Sequence, residues 1–134
     1  MDVRRLLLDS FRAAVGAADP LRIVAPALPD AASIRHFGRT LVVGAGKAAA
    51  SMALAVERHW PADAPLDGLV VTRYAHGLPC ARIEVVEAGH PLPDEAGERA
   101  AARIFERAGA LGDDDLLVAL VSGGGSSLLS LPVE

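Results

Sequence analysis

Two glycine clusters and a single lysine carry most of the chemistry this sequence offers. The first cluster reads Gly44-Ala45-Gly46-Lys47-Ala48-Ala49, and the second Ser122-Gly123-Gly124-Gly125-Ser126-Ser127. Glycine lets backbone approach a ligand closely, and N–H groups left free where a strand turns into a helix attract an anion. Lys47 is the one lysine among 13 basic residues; the rest are arginines. A cation in the first helical turn opposes the positive helix end by roughly 0.3–1 kcal/mol, which a bound anion offsets. A compact ammonium suits a phosphate or a carboxylate. Gly44 and Gly46 beside Lys47, with Ser122, Gly123, Gly124, Gly125 and Ser126, are therefore expected to grip phosphorylated or carboxylated small molecules. The plain alternatives are a tight turn with a solvated lysine and a flexible connecting loop.

The spacing narrows the chemistry. A phosphate-binding P-loop needs Ser or Thr after the lysine, and Ala48 stands there. The first cluster does fit GxGxxA, a weak dinucleotide-binding pattern. The next apolar run ends Val71-Thr72-Arg73, with no acid for a ribose hydroxyl, so NAD is disfavoured and NADP through Arg73 stays open. GxSxG is absent, which argues against a nucleophilic serine. Thr72-Arg73-Tyr74-Ala75-His76-Gly77 and Glu87-Ala88-Gly89-His90-Pro91 both begin where a strand is expected to end. His76 and His90 fit structural or chemical roles equally. Glu87 could coordinate a metal or orient Lys47, although a solvated carboxylate is the simpler reading. His36, His59 and Cys80 read as structural or surface positions.

The elements that must position these groups show in the hydrophobic pattern. Val3, Leu7, Phe11 and Ala14 recur at helical spacing and predict a helix over 3–17. A Pro-rich stretch (Pro20, Pro26, Pro29) is expected to cross the surface. Apolar runs at 40–43, 67–72, 82–87 and 116–121 predict four strands, with Gly44 breaking the first. Helices are expected from Ala49 to Trp60 and from Pro93, the latter burying Ala101, Ile104, Phe105 and Ala108. Strands apolar throughout, alternating with helices, indicate an open, mostly parallel α/β sheet with helices on both faces, Rossmann-like in kind. Such sheets bind ligands beyond the carboxyl ends of their strands, where both glycine clusters fall.

Composition excludes several classes. A net charge of −4 disfavours nucleic acid as a partner. The charge arises within 94–115, where seven acids meet Arg99, Arg103 and Arg107, the pattern of a solvated helix face. One cysteine permits no internal disulfide and, without a CxxC or Cys/His cluster, gives no zinc signature. No apolar stretch reaches the roughly 18 residues of a membrane span, and no signal peptide is legible, so a cytoplasmic chain with no membrane partner is the expectation. After residue 127 too little sequence follows to cover the fourth strand, which predicts a truncated sheet and a piece of a longer protein.

Taken in order, strand-GAGKAA-helix, Thr72-Arg73-Tyr74, Glu87-Ala88-Gly89-His90-Pro91-x-Pro93-Asp94 and Ser122-Gly123-Gly124-Gly125-Ser126 resemble the N-terminal part of the class II glycerate 2-kinases, also labelled hydroxypyruvate reductases. The resemblance implies that 1–134 is the first part of an N-terminal α/β domain whose companion domain is missing. It implies phosphoryl transfer from ATP to the 2-hydroxyl of D-glycerate with Mg2+, in a cleft between two domains. Lys47 would then neutralise the transferring phosphoryl or the substrate carboxylate, the 122–126 turn would cradle an anion, and Arg73 and His90 would border the cleft. Metal ligands and general base are not implied by this stretch. Ser127 and Ala75 depart from the family pattern, which has alanine and glycine there; Ala75 could alter its turn. The rival readings are an NADPH-linked hydroxypyruvate reductase and a non-catalytic anion-binding module. The isolated chain is expected to be catalytically silent and to associate between copies through its open sheet edge.

Overall fold

Four short runs rich in Val, Leu and Ile set the frame. In the computed structural model, which describes residues 2–131, they form β1 (Thr40–Ala45), β2 (Asp67–Arg73), β3 (Ile83–Ala88) and β4 (Leu116–Val121). All three pairings are parallel and the spatial order is β3-β2-β1-β4. The chain steps outward from β1 to β2 and β3, then returns past β1 to lay β4 on its other side. That reversal places a topological switch between β1 and β4, where open α/β sheets bind ligands.

Helices follow from local signals: α1 (Val3–Ala17) is capped by Asp2, and α5 (Glu95–Gly109) by Asp94, whose carboxylate accepts the Gly97 N–H. The Pro-rich stretch is not a plain crossing loop. Asp19 and Asp30 cap two short helices, α2 (Pro20–Ile23) and α3 (Ala31–Ile34), with a 3-10 turn between them at Ala25–Ala27. One face of the sheet packs on α4 (Ala49–His59) through Val42, Val56, Val70, Ile83 and Leu120. The other packs on α5 and the short α6 (Gly125–Leu128) through Ala45, Leu69, Val71, Ala88, Ile104 and Leu128.

Several expectations need correction. Gly44 does not break β1, which runs on through Ala45. A Cβ on Gly44 would lie 2.5 Å from the Leu120 carbonyl oxygen, so glycine is needed there for β4 to approach. Lys47 lies ahead of α4 rather than in its first turn, because Ala48 is the N-cap. The buried stripe of α5 is Gly97, Ala100, Ala101 and Ile104, whereas Phe105 is 73% exposed. β4 is apolar throughout without being buried on both faces: Leu120 is covered, but Val121 is 75% exposed, because β4 is an edge strand and α5 packs mainly on β3 and β2. α1 forms where expected, yet none of its residues is buried.

Candidate functional site

The two glycine clusters meet at the switch between β1 and β4. Beyond Ala45 the chain turns at Gly46, whose φ of +139° is closed to most side chains. Four N–H groups of this first loop all donate within the protein. Gly46 bonds the Val71 carbonyl at 3.1 Å, Lys47 the Gly123 carbonyl at 2.9 Å and Ala49 the Gly46 carbonyl at 3.1 Å. The Ala48 N–H donates to Ser122 Oγ at 3.1 Å. In return the Ser122 N–H donates to the Ala45 carbonyl at 3.1 Å. The contact leaves no room for a side chain, since a Cβ on Gly46 would stand 2.1 Å from Ser122 Oγ.

The second loop differs. Gly124, at φ +91°, lets the chain turn into α6, and Ser127 Oγ ties back to the Gly124 carbonyl at 3.1 Å. Among the described residues, the N–H groups of Gly123, Gly124 and Ser126 have no acceptor. Gly123 and Gly124 are consecutive, and consecutive free N–H groups in such a turn form an anion-binding nest. Lys47 Nζ stands 3.7 Å from the point a Gly123 Cβ would occupy, and His90 Nε2 stands 2.6 Å from the corresponding point on Gly124. An ammonium and an imidazole thus border the turn that keeps its donors.

This geometry redistributes the expected roles. Free donors were expected in both loops; they lie in the second, while the first supplies the lysine and braces its neighbour. Gly44 and Gly46 permit close packing, and the N–H and Oγ of Ser122 serve in the brace. Gly125 donates its N–H to the Ser122 carbonyl at 3.2 Å. Arg73 ends β2 on the face shared with Val71, half-buried, its Nε shielded and without an acceptor among the described residues. Thr72 Oγ1, fully buried, is in the same condition. Neither was singled out by the sequence for an orphaned atom, because burial depends on the neighbouring strands.

Other candidates have structural duties. Glu87 Oε1 accepts the Gly77 N–H at 2.7 Å and closes the β2–β3 connection, so it does not orient Lys47. In that connection Ala75 adopts φ +62°, a conformation suited to glycine, and His76 is exposed. Tyr74 donates its hydroxyl to Asp94 Oδ2 at 2.7 Å. That bond, with backbone N–H groups of Gly89 and Gly97, holds the Asp94 carboxyl below its ordinary range and raises the tyrosine. Cys80 is half-buried, and burial with Glu57 beside it pushes the thiol up to about 11, which leaves it unreactive. His36 Nδ1 lies 2.8 Å from the Ala32 carbonyl oxygen, and His59 is exposed at the end of α4.

Two clefts border the second loop. The larger, about 690 Å³, is lined by Asp94, Glu95, Glu98 and Ser126, a carboxylate wall that repels anions. The other, about 380 Å³, is mainly apolar and runs past Val43, Ala45, Ile104, Ala119 and Val121 to Gly124 and Ser126. Among the described residues no three His, Cys, Asp or Glu side chains lie together as a metal would need, and no helix is long and apolar enough to cross a membrane.

Comparison with known proteins adds a second line of observation. Residues 6–134 match the family model described as a domain of unknown function (DUF4147). An Agrobacterium vitis protein bearing the provisional name hydroxypyruvate reductase is 53% identical over 132 residues, which cover 98% of this chain and 29% of that protein. The glycerate 2-kinase of Pyrococcus horikoshii is 38% identical over 145 residues, covering 100% of this chain and 32% of the kinase. The crystal structure of a Thermotoga maritima glycerate kinase superposes with a TM-score of 0.81 at 33% identity, covering 98% of this chain and 31% of that one. The chain spans about a third of the length of these relatives.

Proposed function

This chain belongs to the DUF4147 family, that of the glycerate 2-kinases, and from that membership we propose that it supplies the anion grip for phosphoryl transfer from ATP to the 2-hydroxyl of D-glycerate. The observation that carries the reading is the 123–126 turn, whose Gly123, Gly124 and Ser126 N–H groups have no acceptor among the described residues and are bordered by Lys47 and His90. Phosphoryl transfer demands positioning and positive charge more than covalent chemistry from the protein. In this reading the N–H groups of Gly123, Gly124 and Ser126 hold a phosphoryl or carboxylate oxygen. Lys47 neutralises the charge that develops on it, and His90 and Arg73 orient the remaining oxygens. The described residues gather no carboxylate cluster for Mg2+, so no step is assigned to the metal.

A hydroxypyruvate reductase is the second reading, favoured by the name of the Agrobacterium relative and by the unpaired Arg73 Nε, which could meet a 2′-phosphate. Against it, a GxGxxA turn must offer its N–H groups to a pyrophosphate, and those of Gly46, Lys47 and Ala48 are engaged. ATP-dependent phosphorylation of glycerate against NADPH oxidation by hydroxypyruvate, assayed on a protein of the relatives' length, separates the two. Because this chain spans a third of those relatives, it is expected to bind and not to turn over.

The binding itself is testable on the chain. Inorganic phosphate or D-glycerate, titrated in 15N NMR, should shift the amides of Gly123, Gly124 and Ser126. Lys47→Met should weaken that binding at least about tenfold, the size of one charge-assisted hydrogen bond. Equal affinity in the variant removes Lys47 from the reading.

A further inference from the structure

Ser122 looks at first like part of the anion cradle, yet its N–H and Oγ bond the other loop. Its N–H donates to the Ala45 carbonyl, its carbonyl accepts from Gly125, and its Oγ accepts the Ala48 N–H. The peptide on the other side of Lys47 is held as well, through the bond from the Lys47 N–H to the Gly123 carbonyl. Hydrogen bonds on both flanking peptides leave the backbone of Lys47 little freedom. Its side chain is exposed, so its direction depends strongly on where the backbone starts it.

We infer that Ser122 is a positioning residue: its hydroxyl fixes the backbone of Lys47 so that the ammonium stands over the Gly123–Gly124 turn, without itself contacting the anion. The inference rests on the proposed reading of that turn. Gly46 completes the device, because only a residue without Cβ lets Ser122 Oγ come so close to the first loop. The Ser122 hydroxyl proton is left over from this arrangement, so direct contact with the anion is the rival account. The two accounts differ in one respect: a positioning hydroxyl acts only through Lys47, whereas a ligand acts whether or not the lysine is present.

A double-mutant cycle on the chain decides, with inorganic phosphate as probe and the dissociation constant read from the Gly123 and Ser126 amide shifts. Ser122→Ala should weaken phosphate binding about three- to tenfold with Lys47 present, and by less than about 1.5-fold in the Lys47→Met background. Ser122→Thr, which keeps the hydroxyl, should restore most of the affinity; this separates the effect from a general loosening, as does an unchanged amide spectrum away from the loops. Multiplying losses in the double variant, no loss in Ser122→Ala, or no rescue by threonine each overturn the inference. Wild-type chain that does not bind phosphate, or Lys47→Met that binds as tightly as wild type, instead overturns the underlying reading and the inference with it.

Discussion

Gly46→Ala is the sharpest test of how the loops are joined. The added Cβ would lie 2.1 Å from Ser122 Oγ and 2.6 Å from the Ser122 carbonyl oxygen, where ordinary contact begins near 3.4 Å. The loops must part by more than an ångström, and the second obstacle is backbone, which cannot swing aside as a side-chain tip can. Parting breaks the bonds Ala48 N–H to Ser122 Oγ and Lys47 N–H to Gly123 O, each worth about 1 kcal/mol net. Holding an alanine near φ +139° adds roughly 1–3 kcal/mol of strain. The expected loss is about 3–5 kcal/mol, a large share of the stability of a small domain. Gly123→Ala is the control: its φ is not positive, and its Cβ would meet nothing nearer than Lys47 Nζ at 3.7 Å, so the effect should stay within about 0.5 kcal/mol. Urea unfolding of both variants reads the difference, with a midpoint lowered by about 1–3 M for Gly46→Ala at an ordinary slope. Gly46→Ala within 1 kcal/mol of wild type, or Gly123→Ala equally damaging, would refute the reasoning.

The same measurement should show Ala75→Gly stabilising the chain by about 1 kcal/mol, since alanine at φ +62° carries left-handed strain that glycine lacks. A neutral or negative change counts against that conformation. The Asp94 carboxyl, held below its ordinary 3.8 first by the Tyr74 hydroxyl and then by the Gly89 and Gly97 N–H groups, favours the folded state above that value. Asp115, held down first by the Gly112 N–H and also by Arg39, has the same sign. Stability should therefore hold steady from pH 7 to about 5 and fall as pH drops through and below 4. Tyr74→Phe should move the Asp94 titration, followed by carboxyl 13C shifts, back upward, and an unmoved curve contradicts the hydrogen bond.

What could be read from the residues was local. Val42-Val43, Val70-Val71 and Val85-Val86 are unbroken β-branched pairs bounded by turn residues, and they mark parallel strands wherever the chain later places them. Asp2 and Asp94 announce their helices through caps a few residues away. Order within the sheet is not local, and each failure follows from that. Leu116 to Val121 reads as a strand covered on both sides, but its place beside β1 at the edge leaves Val121 bare. Phe105 sits one position beyond the stripe that α5 turns toward the sheet, a rotation set by Ala88 and Leu128 rather than by the helix's own pattern.

The glycine loops show the same limit most consequentially. As sequence they are equivalent, two strand-to-helix turns with small residues, and nothing within either says which keeps its N–H groups. The decision is made by long-range contacts, when Ser122 accepts from Ala48, 74 residues away, and Gly123 accepts from Lys47. Those contacts exist because the chain returns past β1 and sets β4 on its far side. Had β4 paired outside β3 instead, the Lys47 and Ala48 N–H groups would lose their acceptors and the two turns would stand apart. The strand order therefore ties the first turn to the second while leaving N–H groups of the second without acceptors among the described residues, and it is this tie that Gly46→Ala should disturb and Gly123→Ala should leave standing.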